Sequence, residues 1–296
     1  MKRIAFLLPF LTVLLFPACS EAADEIIACG DDQVIIIDRN KSADTNVFIT
    51  WKWKIGEIDD LPGDYLKYMR TTDECKPVDN NKKILIASSS GGVVLTDRKT
   101  KKSLFYAYVP MAHSAELLPG DRIVVALSTN PEGNCIQLFD IGKPDKVIYQ
   151  DSLYSGHGVV WMPRYQRLFA LGFDELRSYS LKDWDTDNPS LQPDRKWQLP
   201  DNGGHDLNNI TDDRLIITTH NGVWTFDIPD EQFREFELLK DVRNVKSVNY
   251  NESTGELLYT KGEISWWTHN IYSRNPDKTI TVPDIDLYKT RVIRRR

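Results

Sequence analysis

HSAELLPGDRIVVALS, residues 113–128, decides the fold. A short apolar-alternating run meets Pro-Gly-Asp, and a second run of six apolar-rich residues returns from it. Pro and Gly supply the backbone angles a tight reversal needs, so the stretch reads as two strands joined by a hairpin. The same unit recurs along the chain. KPVDN (76–80) leads to ILIAS (84–88), and HGVVW (157–161) leads to LFALG (168–172). HDLNNI (205–210) leads to LIITT (215–219), and KSVNY (246–250) leads to LLYTK (257–261).

A third strand follows each pair, as in GGVVLTD (91–97), NCIQLFD (134–140), LRSYS (176–180) and GVWTFD (222–227). A charged turn then precedes a fourth, as in SLFYAY (103–108). Each unit repeats after 37 to 48 residues, the period of a four-stranded propeller blade. Near the N-terminus only strands two to four of a blade are found. The tail LYKTRVI (287–293) reads as the missing first strand. Pairing it with the N-terminal blade closes the ring and removes a sheet edge. The expectation is all-β: a six-bladed propeller closed by its C-terminal strand.

The segment near 56–74 breaks the rhythm. DYLKYMR (64–70) has helical character, and long loops on rigid scaffolds often carry function. It either serves the site or pads the ring.

Residues 1–18 stand apart from the repeats. Lys2 and Arg3 precede an apolar run from Ile4 to Phe16, the layout of a bacterial secretory signal. Cys19 follows a small residue, as at a lipoprotein cleavage site, although Phe16 and Pro17 depart from the usual pattern. Residues 19–296 are then one propeller domain, exported to the periplasm or outer membrane and held to the membrane by lipid on Cys19. The other cysteines, Cys29, Cys75 and Cys135, are too scattered for a disulfide scaffold and read as small buried apolar residues.

Of the 296 residues, 41% are hydrophobic and 27% charged, a globular composition. The net charge of −6 argues against nucleic acid as a partner. The repeat register nevertheless aligns Lys76, His113, His157, His205, Lys246 and Lys289 at the start of each innermost strand. Those strands line a propeller's channel, so the six are expected to meet near one mouth, with His220 on a loop at the same face. Three readings follow. A positive ring would hold a carboxylate, sulfate or phosphate. His113, His157 and His205 would offer imidazole nitrogens to a transition metal. A His would move a proton while a cation stabilises negative charge, as in β-elimination or hydrolysis of a uronic-acid glycan. Against these stands a wet, polar channel with carboxylates such as Asp31, Asp32, Asp174 and Glu175 pairing the lysines. Of Trp266 and Trp267, one is expected in the inter-blade core; Trp51 and Trp53 are both expected there.

TTDECKP (71–77), PMAHSAELLPG (110–120) and GEISWWTHN (262–270) resemble an uncharacterised family of exported lipoprotein-type propellers of gut-type Gram-negative bacteria. The resemblance covers nearly all of the mature chain and implies its address and fold, with no established activity or cofactor. Exported propellers of such bacteria are often glycan-active. The expectation is recognition of an anionic saccharide at the His/Lys mouth, with cleavage as its extension. The alternative is a non-catalytic interaction module of an envelope complex.

Overall fold

The computed structural model describes residues 24–294. The expected leader and the lipid anchor at Cys19 lie outside the described residues. Six four-stranded antiparallel sheets form the blades. Blade 1 combines the C-terminal strand Leu287–Val292 with Glu25–Gly30, Gln33–Asp38 and Ile49–Lys54, in that order. Blades 2 to 6 are each continuous in sequence. Their innermost strands are Thr72–Val78, Ala112–Leu118, Gly158–Met162, Asp206–Asn209 and Val245–Asn251. Closure is as expected: Cys29 lies opposite Lys289 and Ile26 opposite Val292.

The second strand of blade 1 shows why these sequences make blades. QVIIID is buried at every position, because a sheet stands against each face. Side chains alternate between faces along a strand. Val34 and Ile36 therefore pack with Ile84, Ile86 and Val94 of blade 2. Ile35 and Ile37 pack with Leu258, Ile271 and Ile280 of blade 6. Each such side chain contributes about 1.5–3 kcal/mol. The closing blade is thus fastened on both sides by one strand. Trp53 is fully buried in the first of these clusters and Trp51 packs against it, as expected. All three described cysteines are free and buried, also as expected.

The segment after blade 1 holds a 3-10 turn, Ile55–Glu57, and one helical turn, Tyr65–Tyr68. It pads the rim rather than the channel. Tyr65 meets Tyr68 and Tyr106 edge-on, and its hydroxyl donates to Asp145. Met69 fills the seam between blades 1 and 2. The inner strand of blade 2 already begins at Thr72, so Asp73 and Glu74 belong to the propeller and not to the inserted segment. No helix among the described residues is long and apolar enough to cross a membrane.

Candidate functional site at the histidine mouth

The inner strands begin with an irregularity that sets what reaches the channel. In blades 2, 3 and 6 the register with the second strand shifts across Asp73, His113 and Lys246. A shift of the same kind in blade 1 singles out Tyr288, between Leu287 and Lys289. An extra residue of this type re-aims its side chain. In blades 4 and 5, His157 and His205 stand just before the strand, their amides bound to Leu171 O and Thr218 O at 2.9 Å. The mouth ring is therefore Asp73, His113, His157, His205, Lys246 and Tyr288.

Two expected members are elsewhere. Lys76 lies three residues further along its strand than Asp73. It reaches the opposite mouth, where it binds Glu116 at 2.9 Å and Val159 O at 2.5 Å. Lys289 follows Tyr288 and lies one layer deeper. The extra residue at each shift, Asp73 in blade 2 and Tyr288 in blade 1, takes the place at the mouth and sets Lys76 and Lys289 further along their strands.

The layer beneath the ring is ionic and closed. The Arg291 guanidinium spans Glu74 and Asp206, with four hydrogen bonds of 2.6 to 3.0 Å. Lys289 Nζ lies 3.3 Å from Asp206 and 3.6 Å from Glu74, and donates to His113 O at 3.2 Å. Two cations thus meet two anions, all buried. Burial raises the Asp206 carboxyl, but Arg291 and Lys289 outweigh it and hold it at about 2. Glu74 is lowered as well: burial raises it, and Arg291, Lys289 and Lys76 more than offset that.

At the mouth the ring carries one carboxylate, Asp73, 4.0 Å from His113 Nε2. Ring centroids of His113 and His157 are 4.4 Å apart, those of His157 and His205 5.6 Å, and those of His205 and His220 4.9 Å. Burial pushes His157 and His205 well below the usual imidazole range, with His113 adding to the shift at His157 and Lys246 at His205. His113 is lowered by burial too, against the opposing pull of Asp73. All three favour the neutral form. Lys246 is fully buried, and its amine is brought down to about 7 by burial and then by Lys289. The positive ring expected from sequence is therefore corrected. Low-dielectric surroundings disfavour unpaired charge, and the lysines paired with carboxylates, Lys76 and Lys289, lie outside the ring.

The neutral rings differ in how they are fixed. His113 Nδ1 donates to Met111 O at 2.9 Å and His157 Nδ1 to Ser155 O at 2.8 Å, each two residues back. This leaves Nε2 as the acceptor. His205 does not repeat the bond, although the residue two before it has the same left-handed backbone as Met111 (φ 57) and Ser155 (φ 50). Two residues before it, Gly203 has φ +71, and the His220 ring fills the space a Cβ would need, with Cγ only 2.3 Å away. His205 Nδ1 is buried without a partner among the described residues, while its Nε2 lies 3.0 Å from Lys246 Nζ. Among the described residues, no three His, Cys, Asp or Glu side chains are grouped to hold a metal ion.

Above the ring, Phe173, His220, Trp266 and Trp267 wall a cavity of about 390 Å³. Trp266 is 49% exposed, with Lys246 Nζ 4.5 Å from its ring centre. Trp267 is half-buried at the same cavity, so neither tryptophan enters the inter-blade core. Both belong to a small hairpin closed by the Ile264–Trp267 bridge, not to a strand with alternating faces.

A protein-family model matches residues 19–295. The chain belongs to DUF6528, a family of unknown function. No curated protein matches it. In this DUF6528 chain, sequence reasoning placed His113, His157, His205, Lys246 and His220 at one mouth, and the structure brings all five together there. It missed Asp73, Tyr288 and Phe173. Asp73 is masked in sequence by Lys76, whose cationic side chain is the feature shared with the landmarks of the other repeats. Tyr288 was hidden in the same way beside Lys289. The loop carboxylates are occupied away from the ring: Glu175 with Arg177 and Lys196, and Asp32 with Lys54.

Proposed function

We propose that this propeller is an exported binding protein whose histidine mouth takes a saccharide bearing a carboxylate. The observation that carries the reading is Trp266 at the rim of a concave cavity, lying over Lys246 and 5.8 Å from the His205 ring. A sugar offers an apolar ring face and, in a uronate, one negative group. An exposed indole beside a buried amine and imidazole answers both. The cavity is of the size small-ligand sites have. The export half of the proposal rests on the leader-like residues 1–18 and on Cys19 as lipid anchor.

The ligand's charge would favour protonated Lys246 and His205. Binding then takes up protons and tightens as pH falls through about 7. The His113 and His157 rings are tied to backbone carbonyls, which suits a fixed wall more than a moving proton. Cleavage would fall to His205, the one ring of the three without that tie.

Titration calorimetry with uronate and neutral oligosaccharides tests the reading. The expected result is uronate binding with net proton uptake, weakened at least about tenfold by Trp266→Ala. Equal affinity for neutral and acidic oligosaccharides, or no binding of either, would overturn it. Unsaturated products in the same samples would add cleavage to binding.

A further inference from the structure

We infer that Lys246 is a carbonyl-reactive amine, placed to form an imine with a small aldehyde or 2-oxo acid entering the histidine mouth. The inference rests on the mouth being a ligand cavity, as proposed above.

Three fully or nearly buried lysines surround the channel, and they are treated differently. Lys76 faces Glu116, and Lys289 faces Glu74 and Asp206. Among the described residues, Lys246 has no carboxylate within ion-pair distance; its nitrogen meets only His205 Nε2 and the face of Trp266. A lysine removed from water, without a counter-ion and near a second cation, is in the setting that releases the free amine near neutral pH. The shift of Lys246 to about 7, caused by burial and Lys289, agrees with that setting.

The neighbouring groups fit the steps. The amine lone pair attacks the carbonyl carbon, the C=O π pair moves to oxygen, and a C–N bond forms. His205 Nε2, 3.0 Å away, passes both amine protons in turn to that oxygen, the first giving the carbinolamine hydroxyl and the second releasing it as water. Water leaves as the C=N bond forms, so carbonyl plus amine gives imine plus water with no change of oxidation state. Trp266 covers the amine on the solvent side, and its hairpin is the part that must swing for a carbonyl to enter.

The test traps the imine with cyanoborohydride in the presence of glyoxylate, and maps the label by peptide mass spectrometry. At pH 7 Lys246 should be modified about a hundredfold faster than exposed lysines such as Lys143 and Lys182, because far more of it is unprotonated. Trp266→Ala should speed the reaction by uncovering the amine. Lys246→Met should abolish the fast phase while leaving the circular-dichroism spectrum unchanged. Lys246 labelled no faster than the surface lysines, in both wild type and Trp266→Ala, would overturn the inference. Uronate binding on the same samples separates the two proposals. Binding without labelling removes the imine alone, and labelling without binding removes the saccharide reading alone.

Discussion

Lys289 and Lys246 are both fully buried, in neighbouring layers of one channel, and their surroundings are opposite. Lys289 sits among Glu74, Asp206 and Arg291, where charge is balanced two against two. Lys246 sits against an imidazole and an indole, with no carboxylate within ion-pair distance among the described residues. The first arrangement ties three inner strands to one another: Glu74 from blade 2, Asp206 from blade 5, Lys289 and Arg291 from blade 1. The second leaves an amine whose burial is not compensated. The difference separates architecture from chemistry within one protein. The ionic layer closes the channel and holds the ring of blades, and the mouth above it keeps groups whose protonation a ligand can change.

The largest expected effect lies in the ionic layer. Arg291→Met leaves two carboxylates facing one ammonium and should lower unfolding free energy by about 3–5 kcal/mol in urea titrations. Lys289→Met should fall at the low end of that range. A change below 1 kcal/mol for both would mean the layer is not the fastening described. Next, Gly203→Ala puts a Cβ against the His220 ring at φ +71, with an expected loss of about 1–3 kcal/mol. Adding His220→Ala should recover the steric part and leave the backbone strain, a split that double-mutant analysis reads directly.

Acid should act on the two regions in sequence. The folded state holds His157 and His205 neutral, so below about pH 6.5 the unfolded chain binds more protons and stability falls. Asp206, depressed to about 2, keeps its contribution above its unfolded value near 3.8 and loses it as pH falls toward 2. Urea midpoints should therefore drop in two stages. A single stage below pH 4 would remove the neutral-imidazole description. Lys246 acts in the alkaline window. Between about 7 and 10.5 the unfolded chain binds the proton the folded state lacks, so its unfavourable contribution fades as pH rises. Lys246→Met should abolish that slope and leave stability at pH 8 within about 1 kcal/mol of wild type or above it. A loss as large as that of Lys289→Met would erase the contrast between the two lysines. The smallest effect on stability, within about 0.5 kcal/mol, is expected for half-exposed Trp266→Ala.

Much of this molecule was legible in the sequence because blades are local. Strand, hairpin, strand, turn and strand lie within about forty to fifty residues, and the alternation that buries QVIIID on both faces is visible as a continuous apolar run. Ring closure was legible as well, since a blade without its first strand and a strand without a blade complete each other. The mouth was only partly legible. His113, His157 and His205 announced themselves by type and by place in the repeat. Asp73 and Tyr288 did not, because a shift of one residue at the strand start decides which neighbour faces the axis. Trp266 and Trp267 were misjudged because a two-residue reversal inside the loop replaced the strand assumed there.

The sequence by itself determined the all-β propeller, its six units, its closing strand and the gathering of histidines on one face. All of these follow from periodic patterns and short turns. Only the tertiary structure decided which charges survive. Protonation depends on burial and on partners brought from distant blades. Thus Lys289, met by Glu74 and Asp206, belongs to the frame. Lys246, fewer than fifty residues earlier and with the same side chain, lies against His205 and Trp266 and belongs to the mouth.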